Sequence, residues 1–231
     1  MPRFFAEIIE FPSACIEDPS SVRHITGPLR RRRGDELAVR VGDQGYRAVI
    51  TSIRAGKIML EILSGQNLRD RGGGAVHLGL CLFDLRELED SLRSVIELGV
   101  TDIHPVISTR SSVRAVTAAR FSRWHAIVLE AVKQCERKTV PVIHEPVDVQ
   151  TLVRQESRGW DRRLFAHQDA RQVISPVPGH DVGIVIGPEG GFTDEEILMM
   201  KAEGFTAVSM GNTTLRAVTA AITAVGILGL K

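Results

Sequence analysis

The feature that most limits the possible folds is a change of hydrophobic period at Gly74. Before it, D-E-L-A-V-R-V-G-D (35–43), Y-R-A-V-I-T-S-I (46–53) and K-I-M-L-E-I-L (57–63) are short alternating runs separated by Gly-containing turns. A period of two sends successive side chains to opposite faces, so these runs predict a small β-barrel or sandwich. After Gly74, apolar strand-like runs alternate with segments of helical period. Strands are expected over 75–83, 101–108, 139–143, 163–167, 181–187 and 206–211, and helices over 85–99, 120–135, 193–204 and about 215–228. Strands joined through helices pair in parallel, so the fold class is α/β with a mostly parallel sheet, preceded by a small β-barrel or sandwich. The expected domains are 1–70 and 75–231. S-G-Q-N-L-R-D-R-G-G-G (64–74) has the composition of a linker between them. A short helix over 19–25 is expected to use Ser20 or Ser21 as its N-cap.

Composition narrows the class further. Of 231 residues, 43% are hydrophobic and 25% charged, with mean hydropathy +0.02, which excludes a disordered or fibrous chain. Cys15, Cys81 and Cys135 are isolated, without metal-ligand spacing. They predict buried thiols in a reducing compartment and no metal site. M-P-R-F-F-A-E-I-I-E has charges within its apolar stretch, so no signal peptide is expected. Ala217 to Leu230 is interrupted by threonines and too short to span a bilayer. The expectation is a cytoplasmic protein with no membrane partner.

The net charge is only +1, yet residues 1–74 hold 12 Lys/Arg against 9 Asp/Glu. Arg30-Arg31-Arg32-Arg33 concentrates the excess. Such a run is either a solvated face or a footprint for a phosphate backbone, whose oxygens match the guanidinium fork.

Two stretches carry chemistry. In G-I-V-I-G-P-E-G-G-F-T-D-E-E-I (183–197) a strand ends in a glycine-rich turn that opens directly into a helix. Thr193 is the expected N-cap, with Glu196 at the capping-box position. Gly187, Gly190 and Gly191 free the main chain from Cβ atoms, and no Gly-Lys-Ser/Thr follows to make a P-loop. The Thr-Asp-Glu-Glu helix start disfavours phosphate, so the turn suits a neutral or cationic ligand, or simply a tight connection without one. In V-S-M-G-N-T-T-L-R-A-V-T-A-A (208–221) a second strand end, a Gly-Asn turn and a helix start recur. Arg216 lies at the start of that small-residue helix, whose packing suits a core or a dimer contact.

Together these stretches resemble one family, the ribosomal RNA small subunit methyltransferase E family of the SPOUT class. M-P-R-F-F is similar to its opening, and His24-I-T-G-P-L-R-R-R-R-G-D to its His-x-x-x-V-L-R-x-x-x-G-D segment. I-E-L-G-V-T-D-I-H-P (96–105), R-W-H-A-I-V-L-E-A-V-K-Q-C-E-R (123–137), G-P-E-G-G-F-T-D-E-E (187–196) and M-G-N-T-T-L-R-A-V-T-A-A (210–221) follow in the family's order. The resemblance implies methyl transfer from S-adenosylmethionine to N3 of a uridine in 16S rRNA. It also implies a PUA-like RNA-binding domain over 1–70, and a homodimeric trefoil-knot domain over 75–231. It places the cofactor among Ala166, His167, Gly187, Glu189, Gly190, Gly191, Ser209, Met210, Gly211 and Leu215. The bareness of the 187–191 turn then reads as room for the cofactor. Arg3, His24, Arg30 and Arg33 become candidates for RNA phosphates.

The family's closing motif is usually L-R-x-E-T-A, and here position 218 is Val. Ser94 stands where the family carries Lys inside its first helix, and Asn212-Thr213 replace the usual Arg after the Met-Gly turn. Methyl transfer requires alignment of nucleophile, methyl and sulfur, and loss of the N3 proton leaves charge on O2 and O4. Arg216 is the candidate catalytic group that would stabilise it. No His or carboxylate stands out as the base. RNA binding without turnover, and methylation of another RNA nucleotide, are the alternative readings.

Overall fold

The computed structural model describes residues 4–10, 12–41, 44–67, 74–135, 137 and 139–229. Two compact units emerge, Met1–Asp70 with Val132–Val140, and Arg71–Ala131 with Pro141–Lys231.

The smaller unit is a six-stranded sheet built from β1 (Phe4–Phe5), β2 (Glu7–Glu10), β3 (Ser13–Ile16), β4 (Glu36–Val41), β5 (Gln44–Arg54) and β6 (Lys57–Asn67), in the order β1-β4-β5-β6-β3-β2. Every pairing is antiparallel except β1 with β4. The alternating runs do what their period dictates: Val39, Ala48, Ile50, Ile58 and Leu60 bury on one face with Ile16, under Val22 and Ile25 of helix α1 (Pro19–Thr26). Burial of such side chains stabilises by roughly 1.5–3 kcal/mol each. The cap of α1 is Asp18, whose carboxylate accepts from Ser21 N at 3.0 Å and from the hydroxyls of Ser20 and Ser21. The expected serine caps are therefore its donors instead, because Pro19 fits the first helical turn, where its missing N–H costs nothing. The segment expected to be a linker is strand as far as Asn67, since β5 pairs with β6 through Gln44↔Asn67. Cross-strand pairing overrides local composition there. Residues 68–73 lie outside the described residues.

The larger unit contains a wholly parallel sheet. Its strands are β7 (Val76–Cys81), β8 (Asp102–Ile107), β9 (Val142–Ile143), β10 (Val147–Asp148), β11 (Arg162–Ala166), β12 (Val182–Ile186) and β13 (Thr206–Val208). Their order is β10-β8-β7-β12-β11-β13, with β9 also paired to β8. Helices α2 (Leu85–Glu97), α3 (Ala118–Gln134), α4 (Val149–Arg154), α5 (Asp194–Ala202) and α6 (Ala217–Gly229) connect them, with a 3-10 turn over Glu156–Gly159. The expected α/β class with a mostly parallel sheet is thus present. One face of the sheet carries α6, which packs on α2 and against β7 and β12. The other holds a core of Cys81, Val106, Leu152, Trp160, Phe165, Val185, Phe192 and Phe205.

The small-residue helix α6 is a core helix: Ala220, Ala221, Ala224, Val225 and Leu228 are buried within the single chain. Its end fits so closely that a Cβ on Gly229 would stand 2.4 Å from the Leu98 carbonyl oxygen. Two cysteines are buried as expected, but Cys135 is only half-buried. Among the described residues no helix is long and apolar enough to cross a membrane.

Candidate functional site

In open parallel sheets, ligands collect beyond the carboxyl ends of the strands, where the connections diverge. Here β11, β12 and β13 are spatial neighbours, so the turns that follow them gather at one edge. Ala166 ends β11, Gly187 follows β12, and Ser209 follows β13. All three expected cofactor segments are therefore brought together.

Main-chain bonds lock the first turn to the third. His167 N donates to Val208 O at 3.0 Å, Ser209 N to Gln172 O at 2.7 Å, and Ile174 N to Ser209 O at 2.9 Å. His167 Nδ1 accepts from Asp169 N at 3.3 Å, so that ring nitrogen serves the turn. Beyond Ser209, the hydroxyl donates to Gly211 O at 3.0 Å, and Gly211 takes φ +128°, which a side chain would strain. Gly211 is exposed, while Met210 and Leu215 are half-buried.

The middle turn corrects one expectation. Its three glycines are not all bare for a ligand's sake. A Cβ on Gly187 would lie 3.1 Å from the Phe192 ring, and Gly191 takes φ +68° while its N–H donates to Pro188 O at 2.8 Å. Those two serve the turn itself. Gly190 is different: exposed, with only the Arg110 side chain near its absent Cβ, at an ordinary 3.5 Å. Glu189 beside it is exposed.

Thr193 caps α5, and the capping box with Glu196 is complete. Glu196 is 5% exposed and does more than cap. Its Oε2 accepts from Thr193 N at 2.9 Å, while Oε1 reaches across to accept from Thr109 N at 2.8 Å. Glu195, on the same first turn, is held below the usual carboxylate range by its own backbone N–H and the Thr193 hydroxyl.

The loop after β8 supplies residues that the sequence reading missed. Arg110 donates from Nη1 to Gly190 O at 2.8 Å and to Phe192 O at 3.2 Å, and Arg114 donates to Ser108 O at 2.9 Å and to Thr109 O. The available signal was T-R-S-S-V-R directly after a predicted strand end, the same place in the fold as the other three segments.

Arg216 immediately precedes α6 rather than lying in its first turn; its carbonyl accepts from Ala220 N at 2.8 Å. Its side chain is 79% exposed, with Nη1 3.9 Å from Oε1 of Glu87 on the first turn of α2. An exposed pair at that distance contributes little to stability, so the guanidinium is free to turn toward a ligand. Val218 and Ser94 are half-buried, and Asn212 is exposed.

In the smaller unit His24, Arg30 and Arg33 are exposed on α1 and the turn after it. Arg30 is held at φ +49°, with its N–H donating to Gly27 O at 3.1 Å. Arg3 lies outside the described residues.

A gathering of bare turns at the edge of a parallel α/β sheet defines a cofactor-binding domain, and residues 73–229 match the RNA methyltransferase domain family. Among curated relatives, a protein of Synechocystis is 30% identical over 87% of this chain and 68% of its own length. One of Rickettsia conorii is 29% identical over 88% of this chain and 84% of its own. Both are named ribosomal RNA small subunit methyltransferase E. A protein of that name from Neisseria gonorrhoeae, solved bound to S-adenosylmethionine, superposes with TM-score 0.75 at 28% identity, covering 97% of this chain and 95% of that one. A Legionella pneumophila methyltransferase solved with the same cofactor gives TM-score 0.78 at 28% identity, with 98% and 96% covered. The chain belongs to the ribosomal RNA small subunit methyltransferase E family.

Proposed function

We propose that the protein methylates N3 of a uridine in 16S rRNA, acting on the small ribosomal subunit in the cytoplasm as a homodimer, with S-adenosylmethionine as donor. The observation that carries this reading is the edge where the turns after β11, β12 and β13 converge, with Gly190 presenting its main chain outward. The chemistry of the lining fits the donor. Ala166, Ser209, Met210, Gly211 and Leu215 are neutral, and Glu189, Asp194 and Glu195 add negative charge beside them. That set disfavours a phosphate and suits an adenosyl group attached to a cationic sulfur. The Arg110 guanidinium at the middle turn is occupied by the carbonyls of Gly190 and Phe192.

When bound, the donor supplies an electrophilic methyl group. The chain's own part is to hold the partners in line and to stabilise charge. Arg216, exposed at the same edge, is placed to neutralise the negative charge that spreads over O2 and O4 once N3 loses its proton. Residues 1–70 act as a PUA-like RNA-binding domain, where His24, Arg30, Arg33 and Arg3 meet phosphates. Residues 75–231 form the SPOUT domain. The trefoil-knotted path is part of the same reading.

The test is incubation with labelled donor and undermethylated small subunits, followed by mapping of the modified nucleotide. Label is expected at N3 of one uridine. Arg216→Ala is expected to slow transfer by about 100-fold, the scale of losing one charge-stabilising group, with donor affinity unchanged. Label on another base would refute the assigned nucleotide. Val218 offers no proton acceptor where the family usually has Glu, which favours RNA binding without turnover as the second reading. Tight donor and RNA binding with no label in any RNA would establish it.

A further inference from the structure

The opposite, amino-terminal edge of the large sheet holds a group of side chains that methyl transfer does not use. Period-two alternation puts His77 and Gly79 of β7 on one face, with Asp102 and His104 of β8 beside them in the register His77↔Asp102 and Gly79↔His104. The next strand contributes Gly183, paired to His77; its missing side chain leaves space for Trp160, whose ring stacks on His77 at 5.1 Å. The sheet thus presents two imidazoles and a carboxylate together above an aromatic floor.

Three observations point to a ligand. His104 is only 3% exposed, and neither of its ring nitrogens has a hydrogen-bond partner among the described residues. Buried imidazoles ordinarily satisfy both nitrogens, so the omission requires an explanation. His77 Nδ1 likewise makes no hydrogen bond among the described residues, standing 3.4 Å from Asp102 Oδ2. Finally, one donor atom from each of His77, Asp102 and His104 lies within 4.8 Å of the others. Zinc bonds nitrogen and carboxylate oxygen at about 2.0–2.2 Å, so convergence on one ion needs each donor to move by about 1 Å, within reach of ring rotation.

We propose that His77, Asp102 and His104 bind a divalent transition-metal ion of the zinc class. Imidazole with carboxylate selects such ions over magnesium or calcium, which prefer all-oxygen shells. His144 completes the arrangement from outside: its Nε2 lies 3.0 Å from Asp102 Oδ1, and its ring stacks on His104 at 4.1 Å. It thereby orients both ligands, as outer-shell partners of metal sites commonly do. The ion would tie β7 to β8 far from the methyl-donor edge, so its role is structural.

The full-length protein, stripped with chelator and dialysed, is titrated with zinc chloride by calorimetry. About one ion per chain is expected, with a rise in melting temperature, and cobalt should give the visible absorption of a low-symmetry four-coordinate site. The imidazole NMR signals of His77 and His104 are expected to shift on zinc addition. His104→Leu and Asp102→Asn should abolish binding, His144→Ala should weaken it about tenfold, and the exposed His125→Ala should leave it intact. If His104→Leu fails to fold, His77→Ala at the half-buried ligand gives the same readout. The proposal is overturned by unshifted His77 and His104 signals, or by zinc binding that survives removal of a ligand in a folded variant.

Discussion

Glu196→Ala should do damage well beyond its own helix. The side chain closes the α5 capping box and reaches Thr109 N on the loop after β8. Truncation opens the box, although the Thr193 hydroxyl keeps its bond from the N–H of residue 196. It also leaves the part-buried N–H groups of Thr193 and Thr109 without their charged acceptor, at roughly 1 kcal/mol or more each. The bonds share one carboxylate, so the terms are not strictly additive, and about 2 kcal/mol is the expected loss. For a unit of this size that lowers the melting temperature by about 4–8 °C. Glu196→Gln keeps one carbonyl acceptor and should lose roughly half as much. Differential scanning calorimetry measures both. Because the freed loop carries Arg110, which holds Gly190 O, affinity for S-adenosylmethionine should also fall. A melting temperature within about 1 °C of wild type would refute the tether, since removing even one hydrogen bond to a charged group costs more.

Three further outcomes are expected. In Gly190→Val the new Cβ meets the Arg110 side chain at an ordinary 3.5 Å, so stability should hold while calorimetric donor affinity drops by about tenfold or more; unchanged affinity would remove Gly190 from the site. Gly183→Ala places its Cβ 1.9 Å from the Trp160 ring and should destabilise by about 3 kcal/mol in urea unfolding; a wild-type midpoint would contradict that packing. Although desolvation pulls the other way, bonds from Arg120 and Arg123 hold the buried Glu89 below the usual carboxylate range. Its contribution is therefore fully present at neutral pH and is lost as pH falls below about 4.5, so the stability gap between wild type and Glu89→Gln should narrow in acid; a constant gap would contradict the pairing.

The parallel sheet was legible because its strands are continuous apolar runs spaced by helical periods, as D-V-G-I-V-I-G shows. Phe4–Ile16 was not read as strand. Its first and third segments, β1 and β3, take their conformation from pairing with β4 and β6, residues distant in sequence, and β2 then pairs with β3. Val147–Gly159 was missed for a similar reason: a two-residue strand and a six-residue helix carry too few periods to detect. At the site, the glycine turns and the capping box were readable because their spacing is local. The contacts of Arg110 with Gly190 and Phe192 span 80 and 82 residues, so only the fold exposes them. His77, Asp102, His104 and His144 share this limitation: they are scattered over three segments, and strand register alone makes them neighbours.

The packing of α6 carries a lesson about synthesis. This helix, which follows β7–β13 in chain order, covers β7, the first strand of the large unit, and seats its final turn on Leu98 and Gly99. Until it emerges, the apolar backs of β7 and β12 have no lid, so a nascent or prematurely stopped chain displays a greasy surface for which chaperones compete. A chain that stops before Ala217–Gly229 should thus be treated by the cell as unfinished, however well its earlier strands have paired.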